Sequence, residues 1–222
     1  MSLPKHIVDF FNVYSGFSIA PSTNEYIVLK GRFTFKRTYM GENEIEDSYN
    51  IAIQVHNSFP KIVPKVEDVE GKIPRDGHFH VNPDGSFCLG SPLRLLLVLS
   101  KNPSLIDFME LLLVPYLYAV SYKLKNGGEF IFGELKHGLD GELSDYENLF
   151  QVHGKSAVKN TLIALSTKKR IANKKICPCS CGYRLGTCAF HHRLNPFRKI
   201  TTKTNYKKIL NYLTSQEVTQ VI

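Results

Sequence analysis

HFHVNPDGSFCLG, residues 78–90, is the stretch from which this 222-residue chain is best read. It places Cys88 at the end of a Pro83-Asp84-Gly85 turn, with His80 and Asn82 just upstream. A thiolate on an exposed turn accepts an acyl group, and a side-chain amide beside it steadies the oxyanion formed when that group moves on. Each residue also has a plainer reading. A lone cysteine between Phe87 and Leu89 is commonly an inert buried thiol, and an asparagine before Pro-Asp-Gly is ordinary turn chemistry.

The surroundings decide between these readings. Upstream, Ile7, Val8, Phe10, Phe11 and Tyr14 predict a short amphipathic helix within the first twenty residues. Tyr26–Lys30, Arg32–Tyr39, Tyr49–Val55 and Lys65–Val69 are rich in β-branched and aromatic residues and predict strands joined by short loops, hence an antiparallel meander. Phe59-Pro60 and Pro64 mark an extended crossing, since proline donates nothing to a ladder. Downstream, the apolar region 93–122 is interrupted by Arg94, Lys101, Asp107, Glu110, Pro103 and Pro115. It predicts a loop and then a buried core helix rather than a membrane span. Ser104 caps that helix, with Leu105, Phe108, Met109, Leu112 and Leu113 at helical spacing. Residues 126–145 predict an irregular connection, 143–149 and 155–172 further helices, and 206–213 a last short one.

In that order, the elements resemble the ubiquitin-conjugating enzyme fold over roughly residues 1–125. The resemblance is carried by the strand Tyr49–Val55, the crossing with Phe59-Pro60 and Pro64, His80-Val81-Asn82 for the family's His-Pro-Asn, and Gly85-Ser86-Phe87-Cys88-Leu89 for its Gly-x-Ile-Cys-Leu. It implies Cys88 as the thioester-forming nucleophile, Asn82 as oxyanion or loop stabiliser, and His80 as a structural residue fixing the loop. It also implies that catalysis uses no cofactor. The partners would be an activating enzyme, a ubiquitin-like modifier or a nucleotidyltransferase C-terminus, and a target amine. The departures are Val81 in place of proline, a six-residue step from Asn82 to Cys88 that is shorter than usual, and the absence of tryptophan. They point to a divergent bacterial branch of the kind found in antiphage operons. Nothing marks the base for the incoming amine; Asp84 is near in sequence and equally a turn residue.

Charge divides the chain differently. Residues 1–152 hold 14 Lys/Arg and 19 Asp/Glu, whereas 153–222 hold 14 Lys/Arg and the single acid Glu217. Such a basic segment suits nucleic acid, an anionic surface, an acidic partner, or plain solvation. Within it, CPCSCGYRLGTCAFHH (177–192) concentrates four of the five cysteines. One isolated thiol plus a cluster implies a reducing, cytoplasmic setting, with metal rather than disulfides. Zinc takes four N/S ligands in a tetrahedron. The pattern resembles the small zinc module at the C-terminus of the preprotein translocase motor ATPase: Cys177, Cys179 and Cys188 match, while Ala189 stands where that module has its fourth ligand. His191 is the first choice for that place, with His192 and Cys181 open.

The expected architecture is thus α+β: an N-terminal helix, an antiparallel meander, an active-site turn and C-terminal helices over 1–150, then a basic helical segment with a zinc-binding appendage over 151–222. The expected function is acyl transfer through Cys88. Its rivals are an inactive modifier-binding module and a zinc-dependent nucleic-acid-binding protein.

Overall fold

The computed structural model describes residues 3–132 and 138–220. The chain packs as two compact units, Met1–Gly90 with Val98–Glu134, and Ser91–Leu97 with Leu135–Ile222. It is α+β, with a four-stranded antiparallel sheet in the first unit and helices in both.

The first unit opens with helix α1 (Lys5–Val13), which buries Ile7 and Phe10 but leaves Val8 exposed. The sheet then runs β1 (Phe17–Ala20), β2 (Tyr26–Arg37), β3 (Ile45–His56) and β4 (Lys65–Asp68), each paired antiparallel with the next. The meander expected from the sequence is present, with two differences. Strand β1 was not foreseen: Phe17–Ala20 lies within the stretch read as helical. The two strands expected at 26–30 and 32–39 are one, continuous through Gly31. Gly31 is required there because a Cβ would come within 2.4 Å of the Gly16 carbonyl oxygen. A side chain would push β1 off β2, so only glycine lets the strands approach.

One face of this sheet buries Leu29, Phe33, Ile51, Ile53 and Val66. They share a core with the helical stretch Leu105–Asn126, in which α3 (Leu105–Phe108) leads through a π turn (Met109–Leu113) into α4 (Val114–Asn126). Ser104 caps the start, accepting from the Asp107 N–H at 2.9 Å. The π turn ends just before Pro115, whose ring and missing N–H cannot fit a regular α ladder. This stretch is long and apolar enough to cross a membrane by composition, yet most of it is buried within the unit. Buried polar ties join it to the sheet: Tyr49 Oη lies 2.6 Å from Ser121 Oγ, and Ser121 donates to Asp47 at 2.8 Å.

Residues expected as a loop form helix α2 (Pro92–Lys101) instead, with Pro92 as its first residue, where the missing N–H costs nothing. In the second unit, α5 (Gly138–Phe150) starts inside the stretch expected to be irregular. It packs in the second unit, so the helix placed at the end of the first domain belongs to the other. Next come α6 (Lys155–Ser166) and α7 (Lys169–Ala172), one predicted helix broken at Thr167-Lys168. Helix α8 (Phe190–Ile200) was missed, and α9 (Lys203–Gln220) is longer than expected. Leu143, Tyr146, Phe150, Leu162, Leu194 and Leu213 fill this core.

Glu142 sits uneasily in that core. Its Oε2 is buried without a hydrogen-bond partner among the described residues. Burial, reinforced by the charge of Asp145, lifts its pKa from 4.5 to about 7. Between those values the folded chain holds a proton that the unfolded chain has released. This group's contribution is therefore most favourable below about pH 4.5 and worsens as pH rises to about 7. Glu142→Gln is expected to raise stability at pH 8 by about 1–3 kcal/mol and to flatten the midpoint-versus-pH curve across that window. Thermal unfolding at several pH values checks this; an unchanged slope counts against it.

Candidate thiol site and metal centre

The thiol site is built on a small hairpin. Val81 and Phe87 form an antiparallel bridge, the Cys88 N–H donates to the His80 carbonyl at 2.7 Å, and the Asn82 N–H donates to the Ser86 carbonyl at 2.8 Å. His80 therefore lies opposite Cys88, and Asn82 opposite Ser86. Side chains alternate across a ribbon. Val81 and Phe87 are buried in the core, while Asn82 is exposed and Cys88 half-buried. The hairpin is fastened to the sheet: the Phe87 N–H donates to the Val66 carbonyl at 2.8 Å, and Ser86 bridges Glu67. Strand β4 thereby fixes the height of Cys88, and Cys88 is in no disulfide.

A polar relay orients Asn82. Asn82 Nδ2 lies 3.0 Å from Ser86 Oγ, Ser86 Oγ 2.6 Å from Asp84 Oδ1, and Asp84 Oδ2 2.7 Å from Lys65 Nζ. The single serine hydrogen is used on Asp84, so Ser86 Oγ can only accept from Asn82. The amide nitrogen of Asn82 must therefore be the atom facing Ser86, which leaves its second N–H available to an incoming oxygen. Ser86 was not singled out from the sequence. Its signal was there in hairpin register: it lies the same number of residues before Cys88 as His80 lies before Asn82.

Asp84 is a turn residue. Hydrogen bonds from Lys65 and then Ser86 hold its carboxyl at about 2. A carboxylate that acidic is a poor proton acceptor at neutral pH. The depressed value also means that its contribution to stability is present above about pH 4 and is lost as pH falls towards 2.

His80 occupies the left-handed region at φ 53°, which a non-glycine residue adopts only when its surroundings hold it there. Its ring meets Phe130 edge-on at 4.5 Å. Tyr116, also not foreseen, stacks on Phe87 at 4.8 Å and donates to the Phe79 carbonyl at 2.9 Å. Burial raises the Tyr116 phenol, and negative charge on Cys88 raises it further. Tyr116 stays a neutral hydroxyl behind the thiol.

The second constellation lies in the second unit. The Sγ atoms of Cys177, Cys179, Cys181 and Cys188 all lie within 4.8 Å of one another, with Cys177–Cys179 at 3.2 Å and Cys179–Cys188 at 3.6 Å. A tetrahedral ion with bonds of about 2.3 Å to thiolates separates its sulfurs by roughly 3.8 Å, so this cluster has the dimensions of a metal site. The thiol that completes this four-donor cluster is Cys181, and His191 is not among its members. His191 Nδ1 lies 2.7 Å from the Cys188 carbonyl oxygen, and its ring packs on His192 at 3.8 Å. Two left-handed residues bring Cys181 in: Ser180 at φ 64° and Gly182 at φ 78° reverse the chain on either side of it. A short ribbon closes the loop, with the Cys177 N–H on the Tyr183 carbonyl at 2.8 Å and Ile176 bridging Arg184. The Phe190 N–H donates to Cys188 Sγ at 3.4 Å and, as the main cause, draws that thiol down to about 7. Burial pushes the Cys177 thiol up.

No protein-family model, curated protein or solved structure matches this chain.

Proposed function

We propose that the first unit is an acyl-transfer enzyme of the ubiquitin-conjugating type, carrying a protein C-terminus as a thioester on Cys88. The observation that carries this reading is the hairpin at the edge of β4, which sets a half-buried thiol on the same ribbon as an exposed asparagine whose amide is fixed by Ser86. The Cys88 thiolate attacks the thioester of an activating enzyme; a new S–C bond forms, and the donor cysteine leaves as a thiolate. An amine of the target then attacks the carbonyl, Asn82 donates to the oxyanion, and the C–S bond breaks as the amide forms, the Cys88 sulfur leaving as thiolate and the amine's proton passing to solvent. His80 holds the loop through its backbone and its contact with Phe130. The modifier is a ubiquitin-like protein or a nucleotidyltransferase C-terminus.

The second unit, on this reading, carries zinc in a structural role. Four thiolates fill the tetrahedron and leave no position for substrate, and so short a loop has little core of its own.

The test is a non-reducing gel after incubation with ATP, an activating enzyme and its modifier. An adduct that reducing agent removes and that Cys88→Ala lacks supports the reading. Absence of any adduct, with partners proven active on another conjugating enzyme, overturns it and leaves a binding module.

A further inference from the structure

The knuckle that the four cysteines close carries a surface that acyl transfer does not use. Between Lys168 and Lys208 the chain has twelve Lys/Arg and no acidic residue. Eleven of them are exposed; Arg198 instead turns inward, donating to the Ala164 carbonyl at 3.0 Å. They span α7, the knuckle, α8 and the start of α9 rather than converging on one pocket. At the knuckle's ribbon, two large apolar side chains face solvent, Ile176 at 68% and Tyr183 at 69% exposure. Lys174 and Lys175 run into Ile176, and Arg184 follows Tyr183 directly.

We propose that this face binds single-stranded nucleic acid, with Tyr183 as a stacking platform for an unpaired base and Lys174, Lys175 and Arg184 on the flanking phosphates. A one-signed field spread over successive elements matches a polyanion of regular charge spacing, and an exposed aromatic ring on a ribbon whose neighbouring positions are cationic matches a base with its phosphates. An acidic peptide would account for the cations but not for Tyr183 standing uncovered. Backbone bonds at Tyr183 and just beyond it (Cys177 N–H to its carbonyl, and the Leu185 N–H to the Lys175 carbonyl, both at 2.8 Å) hold the platform in place.

The experiment is fluorescence anisotropy of labelled oligothymidylate and oligouridylate with the zinc-loaded full-length protein, across a salt series. Binding that weakens linearly in log–log salt is expected. Lys174→Gln/Lys175→Gln/Arg184→Gln should reduce that slope by about 2 for a single strand. Tyr183→Ala should weaken binding roughly tenfold with the slope unchanged, and Tyr183→Phe should restore it. Metal content and thermal midpoint serve as folding controls. The proposal is overturned if Tyr183→Ala binds as the parent does, or if polyglutamate competes at equal charge concentration, which would assign the face to acidic protein.

Discussion

Cys88→Ala is expected to abolish every thiol-sensitive adduct, whereas Asn82→Ala is expected to keep the adduct and slow its discharge to an amine by about 10²–10³-fold. The two substitutions separate because they act on different atoms. Loading needs the sulfur. Discharge builds negative charge on the carbonyl oxygen, and Asn82 has one N–H left for it once the other is held by Ser86. Ser86→Ala removes the acceptor that fixes the amide, so it should cost less than Asn82→Ala, on the order of tenfold, because the donor remains but is no longer pre-aimed. Single-turnover discharge of preloaded protein, followed against amine concentration, measures all three. Equal discharge rates for Asn82→Ala and the parent would exclude the oxyanion role and leave Asn82 as a turn residue. Asp84→Asn offers a control. With its carboxyl held near 2, it has no general-base role to lose, so the pH dependence of discharge should keep its shape.

Cys181→Ser is expected to lose the metal as completely as Cys188→Ser, while His191→Ala keeps one zinc per chain. Removing the ion is expected to unfold the knuckle. Apparent binding energies for structural zinc in small modules are on the order of 10 kcal/mol, more than the loop's backbone ribbon alone replaces. Only Cys177 of the four cysteines is buried, and Leu185 is the knuckle's main core residue. Metal analysis of the purified variants, with circular dichroism before and after chelation, reads the outcome. A Cys181→Ser protein that retains full zinc, with loss on His191→Ala, would reverse the ligand assignment. Because α8 follows Cys188 immediately and its Phe190 N–H reaches Cys188 Sγ, the loss should spread into the helix and be visible beyond the loop itself.

The parts legible beforehand are those governed by neighbours in sequence. Alternating β-branched and aromatic residues marked three of the strands, Ser104 marked the start of the core helix, and the density of thiols marked a metal-sized cluster. Each depends on local periodicity, capping or turn chemistry. The misses share another cause. Strand β1 is only four residues long and exists because β2 lies beside it. The continuity of β2 rests on Gly31 passing under Gly16 and Phe17. Helix α8 contains Pro196, a residue that locally argues against it.

For the thiol site, the sequence alone determined that a turn, an amide and a thiol occur together, since turn chemistry acts over three or four residues. Only the tertiary structure decided that Val81 and Phe87 pair, which puts Asn82 against Ser86 and Cys88 against His80, because register is set by burial against β4 and the core. For the cysteine cluster, the residues by themselves determined that four donors are at hand. Two left-handed backbone positions decided that Cys181 completes the set and His191 does not, because a ligand is chosen by where its donor atom arrives in space rather than by its place in a motif.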